Sequence, residues 1–116
     1  MDDDAHEHDH DLADLVGDAF ALADLVDYQS GAIVSRTLVD DASVTLTAFA
    51  LDEGQRISEH SAPHAAMLQV IDGTGGVTID GEDHRLEAGD AIVFPPDVPH
   101  AVDAPSRFKM LLTMIR

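Results

Sequence analysis

The chain has 116 residues, the size of one compact domain, and 45% of them are hydrophobic, enough for a genuine core. Its 23 Asp and Glu against six Lys and Arg give a formal net charge of −17, which argues against nucleic acid and anionic lipid as partners. There is no cysteine, so disulfides and thiolate metal sites are excluded and any metal must rest on nitrogen and oxygen ligands.

No apolar run is long enough to span a membrane, and the N-terminus is acidic where a secretory leader would be basic. A cytoplasmic protein is therefore expected. Acidity combined with many aliphatic residues fits a folded protein built for high salt, from a halophilic source, rather than an acidic disordered chain.

Residues 1–10, MDDDAHEHDH, have nothing to bury and are expected to be disordered. His6, His8 and His10 alternate with acids there and could bind a metal loosely. Next, Leu12, Leu15, Val16, Ala19, Phe20, Ala23 and Val26 recur near the helical period, with Asp11 as a candidate N-cap and Gly17 as a weak point. This predicts a short helical segment over 11–24 on the outside of the domain that follows, residues 25–116.

From Gly31 the pattern becomes β-like. Strands are predicted over 32–39, 43–51, 66–71, 77–79, 84–86, 91–94, 100–102 and 107–115. Asp40-Asp41, Gly54, Asp72-Gly73, Asp80-Gly81 and Gly89-Asp90 supply the turns, and Pro95-Pro96 halts a strand. Regular short strands with almost no helix predict an all-β sandwich or barrel.

Two histidines stand at matching points in this frame. Gly54 is followed after five residues by His60. Gly89 is followed after five residues by Pro95, Pro96, Asp97, Val98, Pro99 and His100. These segments resemble the two motifs of the cupin superfamily. The segments 34–40, 59–73, PPDVPHAV and RFKMLLTMIR further resemble small stand-alone cupins of the conserved-barrel type. The resemblance implies an antiparallel jelly-roll barrel, a double-stranded β-helix with the short helix at its N-terminus.

It also implies that His60 and His100 meet at the barrel mouth, where such proteins hold a metal or small ligand. The family's other two ligand positions fall on Ala62 and Ala66, and its closing Asn on Ala104. A second register aligns His64, Gln69 and Gly76, with Gln in place of the usual Glu. His60, His64 and His100 are thus the candidate ligands of a divalent transition metal such as zinc, iron, nickel or manganese. Gln69 and Met110 are the candidate contacts for a small-molecule ligand, Gln69 facing either the cavity or a subunit contact. Phe49, Leu111 and Ile115 are expected on an outer face, which predicts a homodimer.

Three functions remain open. One is a metal-dependent enzyme, a dioxygenase or isomerase acting on a small organic molecule. Another is a non-catalytic binding cupin, favoured by Ala62 and Ala66. The third is a structural dimerisation module.

Overall fold

Hydrophobic alternation and turn chemistry convert the region after Gly31 into eight strands: β1 (Ile33–Asp40), β2 (Val44–Leu51), β3 (Arg56–His60), β4 (Ala66–Ile79), β5 (Glu82–Glu87), β6 (Ala91–Phe94), β7 (His100–Asp103) and β8 (Phe108–Ile115). The structure is a computed structural model and describes residues 11–116, so the tail carrying His6, His8 and His10 lies outside the described residues.

The strands form one curled antiparallel sheet in the order β1-β2-β8-β4-β7-β3, with β5 and β6 also paired to β4. β4 is the hinge of the curl. Residues 66–73 pair with β8, and residues 74–79 pair with β5. The two halves define sheet A (β1-β2-β8-β4-β6) and sheet B (β5-β4-β7-β3). Leu51, Leu68, Val70 and Phe108 from one half and Val77, Leu86 and Val102 from the other enclose a single apolar core.

Two sequence expectations do not hold in the fold. Asp72-Gly73 does not close a strand, because β4 runs through it with a register shift between Val70 and Asp72. Gly73 has φ +73°, and a Cβ there would collide with the Arg107 carbonyl oxygen. The glycine therefore serves a bend and a close backbone approach to β8 rather than a reversal. Asp80-Gly81 is the true hairpin, with both residues at positive φ, 50° and 82°.

The predicted helix over 11–24 is likewise replaced by two separate 3-10 turns, Asp11–Leu15 and Leu22–Leu25. Gly17 at φ +90° breaks the first, and Ala21 offers the second no side-chain cap. Together with the chain to Gly31 they make a strap across the outer face of sheet A. Leu15, Leu25, Val26 and Tyr28 of the strap pack on Leu38, Ala48, Ala50 and Leu111.

Polar latches hold the strap down. Lys109, the chain's one lysine and 8% exposed, donates to the Ala23 carbonyl at 2.6 Å. Arg36 donates to the Leu25 carbonyl at 3.2 Å. Tyr28 donates to Asp72 at 2.6 Å, while Lys109 and Arg107 lie 4.8 Å and 5.0 Å from its ring centroid. Burial, reinforced by the bond to Asp72, raises the Tyr28 phenol above its ordinary range. Asp52 closes the strap by accepting from the Gly31 amide at 2.6 Å and from Arg107 at 2.8 Å.

This arrangement also corrects the expected outer patch. Phe49 packs into the barrel core, and Leu111 is covered by the strap, so of that trio Ile115 alone is exposed.

Candidate functional site

His60 is the last residue of β3 and His100 the first of β7, and they pair directly across the two strands. Simple alternation from the inward-facing Ile57 would turn His60 away. The pairing instead runs from Ile57 opposite Val102 to His60 opposite His100, with one extra residue on β3. That bulge brings His60 to the face of its partner. The rings meet edge to face with centroids 4.4 Å apart and planes at 65°.

The approach to His100 is shaped by its loop. Pro95 and Pro96 end β6, and Asp97, at φ 64°, takes the left-handed conformation that Asp tolerates better than most residues. The Asp97 amide donates to the Ala62 carbonyl at 2.7 Å, tying this loop to the one after His60. His100 is 6% exposed and stacks on Phe94 at 4.1 Å with planes 5° apart. His60 is exposed.

Each ring is oriented by its own backbone. His60 Nδ1 lies 2.8 Å from the Ser58 carbonyl oxygen, and His100 Nδ1 lies 3.0 Å from that of Val98. A carbonyl oxygen only accepts, so both Nδ1 atoms carry the proton. In the neutral ring, Nε2 is then the hydrogen-bond acceptor. The pair is therefore two fixed hydrogen-bond acceptors beside an aromatic ring, at the end of the barrel where Ala66, Phe94 and Met114 also meet.

The remaining candidates are distributed elsewhere. His64 is half-buried in the loop between β3 and β4 and makes no three-ligand group with the pair. Gln69 alternates with the buried Leu68 and Val70, and lines an outer groove with Ala21–Ala23 of the strap. Met110 is 1% exposed and sits opposite Val70 in the core. It is four residues along β8 from Met114, roughly 14 Å from the mouth at about 3.4 Å per residue. Sequence reasoning missed Phe94. Its signal was the strand AIVF itself, whose last residue before Pro95 shares a face with Ile92.

The family profile described as "Cupin domain" matches residues 47–116, which include both histidines. The chain belongs to the cupin family. It is 37% identical to a conserved protein of unknown function from Streptococcus pyogenes, covering 86% of this chain and 88% of that one with a TM-score of 0.83. It is also 37% identical to a Cupin 2 conserved barrel domain protein from Leptotrichia buccalis, with a TM-score of 0.81. There it covers 84% of this chain but 47% of the other, about half its length. A salicylate 1,2-dioxygenase from Pseudaminobacter salicylatoxidans shares the fold at 22% identity and a TM-score of 0.68, over 74% of this chain and 27% of that one. Comparison with curated proteins gave no match.

Cupins commonly hold a metal through several side-chain donors at the barrel mouth. Two imidazole Nε2 atoms are available, and Ala62 and Ala66 bring no donor. Among the described residues no three His, Asp or Glu side chains are gathered to hold an ion. Tightly held transition metals take three or four protein ligands, and these residues do not fit one.

Proposed function

We propose that this cupin is a binding protein that takes a small organic molecule at the His60–His100 pair, with no tightly held metal required. The ligand presents a hydroxyl or N–H donor to the two Nε2 lone pairs and lays an apolar or aromatic body toward Phe94 and the barrel interior. The observation that carries this is the fixing of both Nδ1 atoms on backbone carbonyls, which leaves two preorganised Nε2 atoms with no third ligand gathered beside them among the described residues. A zinc, iron, nickel or manganese ion entering the pair meets two imidazole donors and is held weakly. Hydroxylated aromatic compounds are the first class to try, since a related fold, a salicylate 1,2-dioxygenase, was crystallised with gentisate.

The test is calorimetric titration of gentisate and of phenol into the parent, His60→Ala and His100→Ala, beside metal analysis of all three after identical dialysis. At least one probe is expected to bind the parent and to lose tenfold or more in affinity in both variants, while metal content stays low in all. Stoichiometric metal in the parent, lost from both variants, would replace this reading with a metal-centred cupin enzyme.

A further inference from the structure

The inner faces of the two sheets meet at the barrel mouth, and the strand registers fix what lines it. On sheet A the row nearest the mouth runs Phe94, Ala66, Met114, Thr45 and Asp40 across five strands. On sheet B it runs His60, His100, Ile79 and Glu82 across four. The stack of Phe94 on His100 joins the two rows. One row deeper, Ile92, Leu68, Leu112, Thr47 and Thr37 face Ile57, Val102, Val77 and His84. Carboxylates therefore stand in the outermost rows, at Asp40 and Glu82, and no lysine or arginine stands in any of the four.

The six cations are placed elsewhere. Arg56 and Arg85 alternate with the core residues Ile57 and Leu86, so they point away from the barrel interior. Arg36 and Lys109 reach the strap on the outer face of sheet A, and Arg107 joins Asp52. Arg116 follows β8 to the mouth end, where its guanidinium donates to the Asp41 carbonyl at 2.8 Å. That carbonyl lies in the β1–β2 turn, at the opposite edge of sheet A from Phe94. The other charged side chains around the His pair are acidic: Glu59 precedes His60, Asp80 turns β4 into β5, and Asp97 stands in the loop before His100.

We infer that the mouth selects its ligand by charge, taking phenols that carry no carboxylate and favouring those with an ammonium arm, and that Glu82 sets this preference. The inference rests on the reading of the His60–His100 pair as the ligand site. The wall behind that pair, formed by Ile79, Ile92, Leu112 and Met114, is apolar. A carboxylate carried in with the ring would lose water there and meet no cation in its place, and an unpaired buried charge is costly. Glu82 adds repulsion. It stands two strands from His100, about 10 Å at about 4.8 Å per strand, which is about one screening length at 0.1 M salt. The same field attracts an ammonium group, and because Glu82 is exposed, an arm reaching back to it keeps its water. Specificity then comes from the rejected group as much as from the accepted one.

Calorimetric titration at about pH 8, where imidazole is neutral, and about 0.1 M KCl compares three ligands that share one phenol: para-hydroxybenzyl alcohol, para-hydroxybenzylamine and para-hydroxybenzoate. The alcohol and the amine are expected to bind the parent, and the benzoate at least tenfold more weakly than either. All binding is expected to fall at least tenfold in His60→Ala, which removes an exposed ring. Glu82→Lys is expected to cut the ratio of amine to benzoate affinity at least tenfold. Circular dichroism checks that each variant is folded, and Glu82→Gln substitutes if the lysine variant is not, with at least a threefold cut in the same ratio. Benzoate that binds the parent as tightly as the alcohol overturns the inference and leaves the binding reading standing. So does a folded Glu82→Lys protein that keeps the parent's ratio. If none of the three binds the parent, or if His60→Ala binds as the parent does, the site reading fails and the inference with it.

Discussion

His60 and His100 meet ring to ring from different surroundings, and the difference can be measured. His100 is buried and stacked on Phe94, so His100→Ala leaves a cavity against an aromatic ring and should cost about 2–3 kcal/mol. His60 is exposed and loses little more than its edge contact, so His60→Ala should cost about 1 kcal/mol or less. Denaturant melts of the two variants check this, and equal losses would mean that the stacked ring carries no packing energy. The spacing of Gly54 to His60 and of Gly89 to His100 made both histidines visible in the sequence. The bulge between Ile57 and His60 was not visible, because it arises from the register between β3 and β7, two strands far apart in sequence. The tautomers were hidden for a different reason: each rests on contact between Nδ1 and the carbonyl two residues back, which depends on the local backbone conformation. Gln69 followed plain alternation along β4 and lies on the outer face, which the sequence could state only as one of two options.

The strap offers an acid-sensitive latch. The Gly31 amide, and then the Arg107 guanidinium, hold Asp52 down at about 2, below the ordinary carboxylate value near 3.9. A depressed folded-state value means that the contribution is present above about pH 4 and is lost as pH falls through about 2. Asp52→Asn weakens the latch wherever the parent's Asp52 is ionised. The variant should therefore melt below the parent at neutral pH, with a gap that narrows between about pH 4 and pH 2 and then closes. Protonation of the many other carboxylates affects both proteins alike and cancels in the difference. A gap that stays constant to the lowest pH would show that Asp52 acts by packing rather than by charge. The strap was the least legible element in the sequence. Leu12, Val16 and Phe20 obey the helical period yet remain exposed, because the face of sheet A accepts only Leu15, Leu25, Val26 and Tyr28. The β-strands were legible because turn residues such as Asp80-Gly81 act locally. Asp72-Gly73 misled because a glycine needed for close approach to Arg107 has the same sequence signature as one needed for a reversal.

At the scale of the whole molecule, charge and burial oppose each other. The core and the strap-covered face favour the compact state, while a formal charge of −17 on 116 residues repels itself within it. Six cations against 23 carboxylates offset little of this. Lys109 donates to a strap carbonyl, that of Ala23. Arg107 with Asp52 is an ion pair on the surface, where such pairs contribute little. Added salt should then stabilise the fold by screening. The screening length falls from about 10 Å at 0.1 M to about 3 Å at 1 M, so most of the repulsion between neighbouring carboxylates is removed over that range. The melting temperature should rise steeply up to about 1 M KCl and flatten beyond it, because little repulsion remains to be screened. Salting-out of apolar surface has a different form, growing steadily with concentration and more strongly for sulfate than for chloride. Melts in KCl and in potassium sulfate at matched ionic strength separate the two effects. Coincident curves that flatten identify screening. A linear rise, larger in sulfate, would assign the stabilisation to apolar burial, and a flat response in KCl would mean that the acidic surface does not limit stability.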